Sequence, residues 1–170
     1  NGGPDGSSAI KIQRATTKLN FFERDYFINN SFVYDPAVSG AIQSISYSQD
    51  YLWNGLNASG HQAIDAAIGS NVLISQNGRY YQYTGSLYTG PSYRGPGVIT
   101  PNTWQQGQGN GLTASQFSLI TDLVTFSLDP SQNPDFTNGV MAFGMYDGYS
   151  VTNSQFFGTM TSSWDNLSIT

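Results

Sequence analysis

The longest run of strict alternation in the chain is Ala41–Trp53. Ile45, Tyr47, Tyr51 and Trp53 fall on one side, with Gln49 among them, and Ser44, Ser46, Ser48 and Asp50 fall on the other. Side chains alternate faces along a strand, so this pattern predicts an antiparallel strand with one buried and one wetted face. The segments Asn71–Gln76 and Arg79–Thr84 flank Asn77-Gly78. That dipeptide predicts a two-residue hairpin, because a type I′ turn needs positive φ at both central positions. Near the end of the chain, Gly139–Tyr146 places Met141, Phe143 and Met145 on one face. A closing strand is predicted over Trp164–Thr170, where strict alternation puts Asp165 on the side of Leu167 and Ile169.

Between these anchors the signals are shorter. Ser8–Thr16 predicts a first strand. Asn20–Phe27 reads as strand or turn, and Ser31–Tyr34 as a short strand stopped by Asp35-Pro36. Residues Asn54–Ser70 read as a loop with room for a helical turn over Gln62–Ile68. Gly85–Asn102 is rich in Gly and Pro and predicts a long loop carrying Tyr88, Tyr93 and Arg94. Thr103–Gln106 reads as a strand containing Trp104. Gly111–Phe117 reads as a turn or one helical turn with Thr113 as its N-cap. Leu119–Leu128 is apolar, Asp129–Thr137 is a loop, and Asp147–Ser163 reads as a second long loop with Tyr149, Phe156 and Phe157. The sum is nine to eleven short strands, an all-β chain. Residues 1–7 are expected to be a flexible segment, with a single β-sandwich domain over 8–170.

Composition supports an all-β reading and removes several functions. The chain has 170 residues, of which 14% are aromatic and only 10% charged. Turn formers, aromatics and β-branched residues together are the ingredients of a β protein, and a disordered chain lacks such aromatics. The net charge is −5, and the six Lys and Arg are scattered. A nucleic acid or an anionic membrane surface is therefore a poor partner. With no Cys, disulfides, thiolate catalysis and zinc–cysteine sites are excluded. No apolar run approaches the roughly 18 residues of a spanning helix. The low-charge surface, rich in Asn, Ser, Thr, Gly and Tyr, is that of an extracellular protein. The sequons at Asn29, Asn57 and Asn166 carry no meaning in a bacterial source.

The segments SGAIQSISYSQD (39–50), SQNGRYYQYTG (75–85), GLTASQF (111–117), DPSQNPDFT (129–137), VMAFGMY (140–146) and WDNLSIT (164–170) occur in that order. Together, over Ser31–Thr170, the chain resembles bacterial secreted jelly-roll domains, which are similar to concanavalin A-like and laminin-G-like sandwiches. The resemblance implies a jelly-roll fold, secretion and a place at the bacterial cell surface. Its motifs are strand and turn patterns and carry no catalytic signature.

Chemistry is sparse. Hydrolases of the concanavalin A-like type use a pair of carboxylates, and this chain has a single Glu, Glu23. A lyase needs a Tyr or His acid/base, and His61 is the only His. A carboxylate on the apolar side of a final strand needs a partner, so Asp165 is the candidate metal ligand. In many jelly rolls an Asp of the last strand helps hold a structural calcium, and Asp165 resembles that position, with Asp5, Glu23 and Asp25 as candidate partners. The competing reading is that Asp165 caps loop N–H groups. Sugars present apolar C–H faces and rings of hydroxyls, which aromatic platforms and polar side chains answer. Tyr88, Tyr93, Arg94, Trp104, Tyr149 and Phe156 are the ligand-binding candidates. The leading expectation is a non-catalytic extracellular module that binds a glycan or cell-surface polymer. The alternative is a structural or adhesive subunit that self-assembles through its N-terminal segment, and a lyase or hydrolase comes third.

Overall fold

The computed structural model describes residues 9–16, 21–57, 66–85, 104–151 and 158–170. Ten strands are described: β1 (Ile10–Thr16), β2 (Phe21–Tyr34), β3 (Ile45–Asn57), β4 (Ala66–Gln76), β5 (Arg79–Tyr83), β6 (Gln105–Leu112), β7 (Phe117–Asp122), β8 (Ser127–Asp129), β9 (Met141–Val151) and β10 (Gly158–Ile169). They form a four-stranded sheet in the order β1-β10-β3-β6 and a six-stranded sheet in the order β2-β9-β4-β5-β7-β8. Every neighbouring pair is antiparallel. The fold is therefore all-β and sandwich-like, as the alternation predicted. No helix among the described residues is long and apolar enough to cross a membrane.

The sheets meet through their alternating apolar faces. Ile45, Tyr47 and Leu112 of the four-stranded sheet share one core cluster with Val72, Ile74, Tyr81, Tyr83, Phe117, Met141 and Phe143 of the six-stranded sheet. Burial of such side chains supplies the main driving force for the fold. Gln49, on the same side of β3 as Ile45, Tyr47 and Tyr51, is also buried. It accepts from the Tyr47 hydroxyl and donates Nε2 to Ser70 Oγ at 2.9 Å, which joins the two sheets by a polar bridge. Ser70 lies opposite Asp147, and Asp147 lies opposite Asp25. The interior thus grades from an apolar end around Phe143 and Ile74 to a polar end at Ser70 and the fully buried Asp147.

The local signals explain the turns. Asn77 and Gly78 have φ of 53° and 73°, the left-handed values that the β4–β5 hairpin requires. Asp35 stops β2 and caps a short helix, α1 (Pro36–Ser39), accepting the Ala37 N–H at 3.0 Å. Between β6 and β7, Gln116 Oε1 accepts the Thr113 N–H at 2.8 Å and closes a 3-10 turn at Ala114–Gln116.

Several expectations are corrected by strand pairing. The segments expected separately at 20–27 and at Ser31–Tyr34 fall, from Phe21 on, in one strand, β2, with Asn30, Ser31 and Phe32 bulged out between the pairs Asn29–Phe143 and Val33–Ala142. Residues 66–70, read as loop, belong to β4, where Ala66–Ser70 pairs with Asp147–Val151. The long loop expected over 147–163 is consumed from both ends by β9 and β10, which run to Val151 and from Gly158. Leu119–Leu128 is split into β7 and β8 by a turn. The expected loop at 85–102 lies almost wholly outside the described residues.

Candidate functional site

The outer face of the four-stranded sheet collects polar chemistry from strands far apart in sequence. Ser48 and Asp50 alternate outward from the buried Tyr47, Gln49 and Tyr51. On one side β6 sets Gln108 opposite Ser48 and Gln106 opposite Asp50. On the other, β10 sets Ser168 opposite Ser48 and Asp165 opposite Asp50. Residues opposite each other share a face, so Gln106, Asp50 and Asp165 form one row and Gln108, Ser48 and Ser168 the next. Gln108 donates to Gln106, and Asn166 Nδ2 donates to Asp50 Oδ2 at 2.8 Å. Further along, Leu52 pairs with Ser163, which is buried, and the backbone of Asn54 pairs with Thr161; β1 sets Lys11 opposite Ser163 and Gln13 opposite Thr161. Each row spans three strands, about 10 Å across, and the rows from Ser48 to Asn54 run about 20 Å along β3.

Asp165 is on this face because of a bulge. Three steps in β10, from Asp165 to Ser168, match two steps in β3, from Asp50 to Ser48. Asn166 takes up the extra residue with φ of 51°. The bulge reverses the phase of the strand, so Ile169 pairs with the buried Tyr47 while Asp165 pairs with the outward Asp50. The expectation that Asp165 shares a side with Ile169 is overturned. Its suggested metal partners are also elsewhere: Asp25 faces Asp147 on the inner side of the other sheet, Glu23 lies two residues up the same strand, and Asp5 lies outside the described residues. Among the described residues, no three His, Asp or Glu side chains gather as cation ligands. Among the described residues, Asp50 is the carboxylate that pairs with Asp165.

The other sequence candidates are dispersed. Trp104 is half-buried and directly precedes β6. Tyr149 sits in β9, the strand between β2 and β4, opposite Glu23 and Ile68, and is no loop residue. Tyr88, Tyr93, Arg94, Phe156 and His61 lie outside the described residues. Of the ligand-binding candidates, Trp104 directly precedes β6 in the four-stranded sheet; the metal candidate Asp165 lies in β10 across β3, on the polar face with Asp50, Gln106, Gln108 and Asn166, which sequence reasoning missed. The polar side of the β3 alternation was readable, but its pairing with Gln106 and Asn166 depends on register.

The six-stranded sheet presents a different outer face. The Arg24 guanidinium carbon lies 4.8 Å from the Phe126 ring centre and 5.0 Å from that of Tyr146, and Nη1 donates to Gln82 Oε1 at 3.0 Å. Tyr26 packs 6.3 Å from Tyr146 and 6.5 Å from Phe126. Burial pushes the phenols of Tyr26 and Tyr146 above their ordinary value, and the neighbouring Arg24 opposes that shift. This cluster is a stacked structural cover over the sheet. At the far edge, a cleft of about 600 Å³ opens beside the β4–β5 hairpin and β7.

No protein-family model, no curated protein and no solved structure matches the chain.

Proposed function

We infer that this chain is a non-catalytic extracellular binding module, built as a jelly roll of the concanavalin A-like type, that takes a carbohydrate or cell-surface polymer. The observation that carries the reading is the outer face of the four-stranded sheet, where Ser48, Asp50, Gln106, Gln108, Asp165, Asn166 and Ser168 lie in adjoining rows. Hydroxyls, primary amides and carboxylates in a flat array match the hydroxyl pattern of an extended sugar chain. Trp104 at the head of β6 would supply an apolar platform. Such a face binds without needing a nucleophile or an acid/base pair, which agrees with the single Glu and single His.

The test is a panel of neutral polysaccharides titrated into the isotope-labelled chain. Amide shifts centred on Ser48, Asp50, Gln106 and Gln108, and loss of those shifts in Asp50→Ala and Gln106→Ala, are expected. A panel with no binder, or shifts confined to other surfaces, would sink this reading.

A second reading rests on β1. Among the described residues it is an edge strand paired with β10, and Ile10 is 55% exposed. Edge strands with exposed apolar residues invite pairing with another chain. A surface subunit that assembles through this strand should form larger species on sizing columns as concentration rises. A monomer at all concentrations would remove it.

A further inference from the structure

We propose that the cleft beside the β4–β5 hairpin is a second glycan subsite, selective for a sugar ring that bears a carboxylate, such as a hexuronate unit, with Arg79 as its anchor. The proposal rests on the glycan-binding reading but places this site on the other sheet, so each can fail alone.

Arg79 opens β5 directly after the Asn77-Gly78 turn and stands opposite Gln76. The guanidinium is exposed, and Nη1 donates to Gln132 Oε1 at 3.1 Å. Gln132 is itself fixed at two points. Its Nε2 donates to Asp129 Oδ2 at 2.7 Å, and its carbonyl accepts the Leu119 N–H at 3.0 Å. Arg79 is therefore oriented by a neutral amide that is anchored in turn, and no carboxylate neutralises it in that contact. A guanidinium has five N–H donors in a planar fork that suits a carboxylate's two oxygens. One is engaged by Gln132, and the rest of the fork is left for a ligand.

The cleft holds about 600 Å³ and is lined by both Arg79 and Gln132 together with Tyr80, Ile120, Thr121 and Asp122. That volume lies within the range of small-molecule sites. Asp122 is the one lining group that would repel an anion. Its Oδ1 accepts the Val124 N–H at 2.7 Å and the Thr125 N–H at 3.1 Å, which fixes the ionised carboxylate against its own turn. Tyr80 is half-buried and Ile120 is buried, which gives the cleft an apolar wall for the C–H face of a ring. Thr121 and Gln132 add hydroxyl and amide partners. An oriented guanidinium selects for the one feature that separates acidic from neutral sugars.

The test compares short oligogalacturonates with their methyl esters, which differ only in charge, against the full chain by amide shift titration. The acid form is expected to move Arg79, Tyr80, Thr121 and Gln132, and to bind about tenfold more tightly than the ester, as a charge-assisted hydrogen bond requires. Arg79→Gln should remove about that tenfold and leave ester binding unchanged, while Arg79→Lys keeps part of it. Added salt should weaken the acid form alone. Equal binding of acid and ester, an unaffected Arg79→Gln variant, or failure of the acid form to bind at all would overturn the proposal. Acid-induced shifts confined to Asp50, Gln106 and Gln108 would overturn it too, and would leave glycan binding by the four-stranded sheet intact. A melting curve for each variant checks that the fold is unchanged.

Discussion

The Gln76 side-chain amide pairs with the backbone of Asp135 as though it were a strand: Oε1 accepts the Asp135 N–H at 2.8 Å, and Nε2 donates to the Asp135 carbonyl at 2.8 Å. Nε2 also donates to the carbonyls of Asn138 and Gly139, at 2.9 Å and 3.2 Å. Gln76 is the last residue of β4 and is 3% exposed. One amide thereby holds the 135–139 loop over the end of the core, where Phe136 is buried against Phe117 with ring centres 6.1 Å apart.

Removing this amide leaves the Asp135 N–H and up to three carbonyls without this partner. Gln76→Ala should cost about 2–3 kcal/mol, from a few part-buried hydrogen bonds at about 1 kcal/mol each. Gln76→Glu should be comparably harmful, because it keeps the acceptor for Asp135 but turns a carboxylate towards three carbonyls. Urea denaturation checks both, and a midpoint within error of the parent would refute the clamp.

Gly144 marks a close approach of two strands. A Cβ there would stand 1.8 Å from the Phe27 carbonyl oxygen, a backbone atom that cannot swing aside. Gly144→Ala should therefore disturb the β2–β9 pairing and cost about 3 kcal/mol or more. Gly78→Ala is the control. Its Cβ would meet nothing within 4 Å, so only its φ of +73° counts against it, a cost of about 1–2 kcal/mol. Hydrogen exchange of the β2 amides should rise in the first variant and not in the second.

Acid should weaken the loops before the core. Asp122, Asp129 and Asp135 each accept hydrogen bonds from the turn that follows, which lowers their carboxyls below the ordinary 3.8. A depressed folded value means that the stabilisation is complete above pH about 4 and fades as pH falls through the lower folded values. The melting temperature is expected to be flat from neutrality to about pH 5 and then to drop. The triple Asp→Asn variant should show a shallower drop, and an unchanged acid limb would count against these turns as its source.

Alkali acts on the aromatic cluster around Arg24. Burial raises the phenols of Tyr26 and Tyr146 above 10.0, since a phenolate would lose its hydration there. Their neutral forms are favoured by folding, so this contribution is complete below pH 10 and is lost as pH rises through the folded values. Ultraviolet titration should show late-ionising tyrosines that Tyr26→Phe and Tyr146→Phe remove one at a time. Normal ionisation of every tyrosine in the folded chain would contradict the packing around Arg24.

The sequence by itself determined the elements whose causes are local. Steric alternation in β3 sorted Ile45, Tyr47 and Tyr51 inward and Ser48 and Asp50 outward. Asn77-Gly78 set a hairpin, Asp35-Pro36 ended β2, and Met141, Phe143 and Met145 showed their common face. Pairing between distant strands was decided only by the tertiary structure. Nothing local says that β3 lies between β10 and β6, or that β9 lies between β2 and β4. Ala66–Ser70 and Tyr149–Val151 lack strong periodicity and become strand by pairing with each other. Phase was decided there as well. Because side chains repeat every two residues, one bulged residue at Asn166 moves Asp165 from the apolar side to the polar row with Asp50 and Gln106. The polar face of the four-stranded sheet is assembled by register, and register is a property of the whole sheet.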